Sequence, residues 1–288
     1  MSVLKILFVT VQHVLPHHWL SRLLGHLTRC RVPLIKNTLI QGFIRLYGVD
    51  LSEAECSDPE QYACFNDFFA RTLKPAARPL EQRQGHIASP ADGVVSQIGR
   101  CHEGQLIQAK GKNYALTHLL GGDTERALPF RDGHFATIYL SPRDYHRLHM
   151  PVDGTLREMV LIPGRLFSVN QTTSEHIPHL YGRNERVVAL FDTELGPMAL
   201  VLVGALFVAS IETTWHGVVT PPQGQSVTVW HYADHPPVLS RGTELGRFTM
   251  GSTIIVLFGA EVMDWSESLT AGSGIRMGAR LGQRRLNA

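Results

Sequence analysis

Apolar residues fall into two textures along this chain, a helical one at the front and a β one behind it. Leu20, Leu23, Leu24 and Leu27 recur at i, i+3, i+4 and i+7 with Trp19 beside them, the spacing of one helix face. A second such segment opens at Pro33, a favoured first helical position. It runs through Ile35, Leu39, Phe43 and Leu46 and stops at Gly48. A connecting stretch from Ser52 to Pro79 carries the aromatic cluster Phe65, Phe68 and Phe69. Beyond Pro79, short runs rich in Val, Ile and Phe are punctuated by Gly, Pro and Asp. Strands are expected at 93–99, 135–140, 186–191, 198–211 and 252–258. Strands this short and frequent predict a sandwich or barrel-like β domain. The fold class is therefore α+β: N-terminal amphipathic helices (1–60) followed by a β-rich domain (61–288). A weak likeness links 91–95 with 274–278, both reading as turn-then-strand.

Composition narrows the function classes. The chain has 288 residues, 44% hydrophobic and 18% charged, which suits a folded core and excludes a disordered chain. A formal net charge of +2 gives no support to nucleic-acid binding by bulk charge. The charge is uneven, however: residues 1–50 carry six Lys/Arg against the single acid Asp50. Two readings of the helical stripes stay open, packing onto the body of the protein or lying in a membrane interface. Residues 3–11 resemble a short signal core but lack a following small-residue cleavage site. No run reaches the ~18–20 apolar residues needed to span a bilayer, so the chain is expected not to cross one. Cys30, Cys56, Cys64 and Cys101 are scattered without a CxxC, as free thiols in a reducing compartment would be.

Four segments can carry chemistry. Gly251-Ser252 opens a strongly apolar strand, and glycine leaves its own carbonyl open to attack by a neighbouring hydroxyl. A tight turn before a strand explains the same pair. His146 and His149 follow a Ser-Pro turn and would share a face if the segment were helical. They suit proton transfer, a structural role or metal ligation; no third ligand or HExxH glutamate lies nearby. Asp92, in an Asp-Gly turn, is placed to orient a histidine. Ser168 and Asn170 form an uncharged polar pair beside an apolar run.

Taken in order, these segments resemble one family over nearly the whole length, the bacterial-type phosphatidylserine decarboxylases. The basic amphipathic N-terminus leads to Phe65-Asn-Asp-Phe-Phe-Ala-Arg71, Ser89-Pro-Ala-Asp-Gly93 and Gln108-Ala-Lys-Gly111. There follow Tyr139-Leu-Ser-Pro-Arg-Asp-Tyr-His-Arg-Leu-His-Met150, Pro163-Gly-Arg-Leu-Phe-Ser-Val-Asn170, Arg183-Asn-Glu-Arg186 and Gly251-Ser-Thr253. Met250 stands where the family usually has leucine, a change of similar volume.

The resemblance implies non-hydrolytic self-cleavage between Gly251 and Ser252 into chains 1–251 and 252–288, which remain associated. It implies a covalent pyruvoyl cofactor derived from Ser252, which converts phosphatidylserine to phosphatidylethanolamine and CO2 through a Schiff base. By the same likeness Ser252 is the nucleophile, His149 its base and Asp92 the group that orients His149. His146 is the candidate acid after CO2 leaves, and Ser168 and Asn170 the candidate substrate contacts. No metal is implied. The partners implied are the lipid substrate and an anionic membrane surface, with a homo-oligomer possible. The location implied is peripheral, on the cytoplasmic face of the cell membrane. Two rivals stand beside this reading: a metallohydrolase using His146 and His149, and a carrier-like β module. The second lacks a lysine at the Met-Gly-Ser-Thr turn.

Overall fold

The computed structural model describes residues 3–81, 83, 85–109, 111–206, 210–222, 224–249 and 252–285. Three helices lead the chain: α1 (Val3–Val14), α2 (His17–Thr28) and α3 (Pro33–Tyr47). Pro33 sits at the start of α3, and Gly48, at φ 64°, ends it with its amide bonded to the Ile44 carbonyl. That left-handed position is one glycine fills without strain.

α2 is built inside out. Its buried positions are His17, Ser21, Gly25 and Thr28, while Trp19, Leu23 and Leu27 are exposed. Its apolar stripe therefore faces away from the protein. α3 divides its stripe: Ile40 is fully buried and Leu39, Phe43 and Ile44 pack with it, whereas Leu34 and Leu46 are 79% and 75% exposed. The buried half meets a short helix α4 (Phe65–Phe69) through Phe43, whose ring lies edge-on to Phe65, Phe68 and Phe69.

The rest is strand-rich. The strands that matter here are β1 (Gly93–Arg100), β2 (His134–Leu140), β3 (Arg147–His149), β4 (Gly154–Ile162) and β5 (Arg186–Thr193). They continue with β6 (Gly196–Val203), β7 (Ile211–Thr213), β8 (Thr228–His231), β9 (Glu244–Phe248) and β10 (Ser252–Phe258). A nine-stranded antiparallel sheet runs β8-β4-β5-β6-β10-β2-β1 and ends on Gly274–Ile275, with Val238–Leu239 pairing β4 as the ninth strand. A four-stranded sheet joins Gly217–Val218, β7, β9 and β3. Among the described residues no sheet closes into a barrel. The run 198–211, expected as one strand, is split. β6 stops at Val203 before Gly204, and β7 belongs to the smaller sheet.

β10 is the central strand, flanked by β2 and β6, and every residue of it is buried. Its residues alternate between two cores, as the two-residue period of a strand requires. Ile254, Val256 and Phe258 join the core that contains Leu148, Leu245 and Phe248 of the smaller sheet; Ile255 and Leu257 join the other. Covering both faces of β10 explains why its sequence is an unbroken apolar run. The same alternation puts Ser252 on the face of Ile254, toward the smaller sheet.

Candidate active site

Ser252 opens β10 opposite Leu140, the last residue of β2. The chain then leaves β2 through residues 141–146 and re-enters as β3, while β9 runs alongside. Phe248 donates its amide to the His146 carbonyl at 3.1 Å. The 141–146 loop is thus tied at Leu140 to Ser252 and at His146 to Phe248. Met250 and Gly251, half of the expected cleavage bond, lie outside the described residues. The Ser252 hydroxyl is buried and has no hydrogen-bond partner among the described residues.

The two histidines do not share a helical face. The turn after Leu140 leads directly into β3, so the helical spacing expected for His146 and His149 is absent. His146 is fully buried against Phe69, ring centroids 4.1 Å apart. Its Nδ1 donates to the Asp144 carbonyl at 2.8 Å, which leaves Nε2 as a buried, unpartnered acceptor. Burial pushes this imidazole down to about 3, so it is neutral at physiological pH. His149 donates from Nδ1 to the Gly242 carbonyl at 2.8 Å and accepts at Nε2 from the Tyr145 hydroxyl at 2.9 Å. A carbonyl can only accept, which fixes the tautomer. Burial again lowers the pKa of this ring.

Asp92 does not hydrogen-bond to His149, contrary to the expectation that it orients the ring. Both ring nitrogens are engaged by other groups. The Asp92 carboxylate is gripped by Arg78, whose Nε lies 2.8 and 3.0 Å from its two oxygens, and by the Met277 amide at 2.8 Å. Gly93 makes this position possible: a Cβ there would overlap the Tyr139 carbonyl oxygen on β2. The charge of Asp92 still acts on His149 through space and favours its protonated form.

The 141–146 loop has a buried backing that sequence reasoning had left as an aromatic cluster. Phe69 underlies His146, Arg71 donates to the Arg143 carbonyl at 3.0 Å, and Arg147 donates to the Ala70 carbonyl at 2.8 Å. Asp144 closes the loop on itself by accepting from the amide and hydroxyl of Ser141, both at 2.7 Å. Beside it opens a cavity of about 520 Å3, walled by Asp92, Gly93, Tyr145, Arg71, Arg143 and the chain after α3.

Ser168 and Asn170 lie elsewhere. The Ser168 amide donates to Gln12 of α1 at 2.7 Å, and the Asn170 side chain caps the helix Gln171–His176 by accepting from the Thr173 amide at 3.1 Å. Neither lines the cavity. The loop they occupy seats the N-terminal helices: His18 bonds the Gly164 carbonyl at 2.9 Å and His17 lies edge-on to Phe167. In this structure the Ser168 amide serves helix docking and the Asn170 side chain serves capping. Among the described residues no group of three His, Cys, Asp or Glu is arranged to hold a metal.

The sequence that builds this site matches a known family. A profile described as "Phosphatidylserine decarboxylase" covers residues 65–283, and one described as "PSD" covers residues 7–48. The chain belongs to the phosphatidylserine decarboxylase family. It is 57% identical to the phosphatidylserine decarboxylase proenzyme of Ectopseudomonas mendocina (strain ymp), across 97% of this chain and 99% of that one. It is 56% identical to the Azotobacter vinelandii proenzyme, over 96% and 98% of the two chains. With the Bordetella avium proenzyme it shares 54%, over 98% and 96%. Membership makes the chain an enzyme, a carboxy-lyase of a family made in proenzyme form. The sequence likeness reaches from α1 through the last strand.

Proposed function

We infer that the chain converts phosphatidylserine to phosphatidylethanolamine and CO2, after cutting itself between Gly251 and Ser252. The observation that carries this is the Ser252 hydroxyl, buried and unpartnered at the head of β10. A buried hydroxyl without a partner is costly. It is explained if this residue is to be changed chemically, and such a position fits a pyruvoyl group. In self-cleavage the Ser252 hydroxyl attacks the Gly251 carbonyl and turns the amide into an ester. His149 Nε2, which the Gly242 bond leaves as the acceptor nitrogen, takes the hydroxyl proton once the Tyr145 hydroxyl gives up its hold on that lone pair. Asp92 favours the imidazolium that forms, acting by charge and held in place by Arg78. Elimination then breaks the ester without water, releasing chain 1–251 and leaving dehydroalanine at 252, from which hydrolytic loss of ammonia gives the ketone. The two chains remain interleaved, since β10 pairs with β2 and β6 of the longer one.

The pyruvoyl ketone supplies covalent capture of the substrate amine and an electron sink for the bond to CO2. The chain's own part is proton handling. His146 Nε2, an acceptor without a partner among the described residues, delivers a solvent-derived proton to the carbon that lost CO2; the product leaves as an ammonium like the substrate, so the reaction consumes one proton overall.

The N-terminal region, residues 1–60, is a membrane-association region. α2 buries a polar face and exposes Trp19, Leu23 and Leu27, an arrangement that water alone does not favour and a lipid interface does. The excess of Lys and Arg over residues 1–50 suits an anionic surface, at ~1 kcal/mol for each cation near it. Among the described residues no helix is long and apolar enough to cross a membrane. The reading is a peripheral enzyme on the cytoplasmic face of the cell membrane. Incubation of purified protein with phosphatidylserine vesicles tests the activity. CO2 and phosphatidylethanolamine should appear in equal amounts, and a carbonyl reagent such as phenylhydrazine should abolish both. Turnover that persists after complete carbonyl modification would remove the pyruvoyl from the reaction.

A further inference from the structure

The cavity beside Tyr145 holds charges of both signs, but the two signs are not equally satisfied. Its four acids all have donors. Asp92 is paired with Arg78, and Glu53 with Arg78 and Arg276. Asp144 accepts from Ser141, and Asp50 from the amide and hydroxyl of Ser52. Two guanidiniums have no carboxylate. Arg71 is 5% exposed and, among the described residues, donates only to the main-chain carbonyls of Arg143 and Asp144, its buried Nε having no partner there. Burial pulls Arg71 below the usual arginine range, the mark of a cation short of compensation. Arg143 is exposed, and among the described residues no hydrogen bond or ion pair engages its side chain.

The cavity's position says what kind of anion it suits. One wall is Gly48 and Asp50, which directly follow Leu46 and Tyr47, both exposed at the end of α3. Asp92 and Gly93 at the head of β1 also form part of the wall. β1 pairs with β2 and β2 with β10, so this part stands two strand spacings, about 10 Å, from Ser252. The cavity thus lies between the reacting residue and an apolar surface. A serine-headgroup lipid has the same order, with amine and carboxylate first, phosphodiester next and acyl chains last. Guanidinium forks match phosphate oxygens in geometry as well as charge. We propose that Arg71 and Arg143 form the phosphodiester site for this lipid, which enters past the C-terminal end of α3. The proposal rests on the decarboxylase reading and gives it a substrate-anion contact beside the expected pair Ser168 and Asn170.

The test is calorimetric titration of the processed protein with dihexanoyl-phosphatidylethanolamine below its micelle concentration. This probe keeps the phosphodiester and lacks the carboxylate. Arg143→Ala removes an exposed, unpaired side chain and should leave folding and self-cleavage complete while weakening Kd about tenfold; Arg143→Lys should recover part of the loss. Arg71→Lys, which keeps the charge and alters the fork, should also weaken binding. With dihexanoyl-phosphatidylserine as substrate, Arg143→Ala should raise KM by a similar factor and change kcat less than threefold. An unchanged Kd in Arg143→Ala overturns the proposal. So does a raised KM with Kd intact, since the side chain then meets the carboxylate. Wild-type protein that binds the probe but releases no CO2 from phosphatidylserine would sink the decarboxylase reading and leave the phosphate site standing.

Discussion

The hydroxyl of Tyr145 donates to Nε2 of His149 at 2.9 Å, and this bond, with the Gly242 carbonyl on Nδ1, fixes the ring. The donor favours neutral imidazole, adding to the lowering that burial causes. A bond of this kind contributes about 1 kcal/mol. Tyr145→Phe should therefore raise the His149 pKa and slow self-cleavage near pH 7 by no more than about twofold, because the ring starts below the ordinary histidine value. The sign is specific: a higher pKa means the base is lost earlier as pH falls, so the acidic limb of the cleavage profile moves to higher pH. Raising the pH should restore most of the rate. A slower variant with an unmoved pH profile would mean that Tyr145 only packs.

The two histidines separate by function. His149→Ala should block self-cleavage and leave most of the protein as one chain, because Ser252 loses its base. His146→Ala should be cut more completely than it turns over substrate, since its bare Nε2 is assigned to the step after CO2 leaves. Both activities are measured on one preparation of each variant. Equal loss of cleavage and turnover in His146→Ala would erase the distinction.

Arg78 and Asp92 form a buried ion pair, with side chains 8% and 9% exposed. Removing only the cation leaves a buried carboxylate uncompensated, which costs about 3–5 kcal/mol. Arg78→Met should lower the urea midpoint accordingly, and adding Asp92→Leu should recover much of it. Asp92→Asn should slow self-cleavage and leave the Gly242 and Tyr145 contacts of His149 in place. If Arg78→Met unfolds no earlier than wild type, the pair has been misjudged as structural.

Vesicle sedimentation examines the helices. Leu23→Glu and Leu34→Glu alter exposed apolar positions, so both should weaken binding to anionic vesicles while self-cleavage continues. Salt should reduce binding only in part, because the Debye length falls from ~10 Å at 0.1 M to ~3 Å at 1 M while apolar burial is unscreened. Leu39→Glu should behave differently. Leu39 packs with Ile40 and Phe65, so its loss should lower stability. Undiminished vesicle binding in both surface variants would place the lipid contact elsewhere.

The sequence made the periodic elements legible. The stripes at Leu20–Leu27 and Ile35–Leu46 are helices, and the run from Ser252 to Phe258 is the central strand. Period alone does not say which way a stripe points. The outward apolar face of α2 became visible only through its buried His17, Ser21 and Thr28. Ser252, His146 and His149 stood out as chemically able residues in motifs, but their partners did not. Gly242 is 93 residues from His149, and the Arg71 contact to Arg143 spans 72. No local pattern encodes such pairings. Tyr145 lies in the same motif, four residues before His149, yet its residue type alone does not mark it as that ring's partner. The expectation of a helical turn there misled, because strand geometry sends i and i+3 to opposite faces.

The central claim is that Ser252 is a nucleophile toward its own chain. Intact mass under denaturing conditions tests it most directly. Wild-type protein should resolve into chains 1–251 and 252–288, the shorter beginning with a ketone and closed to N-terminal sequencing. Ser252→Ala should give a single uncut mass, since a methyl group cannot attack a carbonyl. Cleavage of the alanine variant at the same bond, or a wild-type protein that stays whole, would contradict the account.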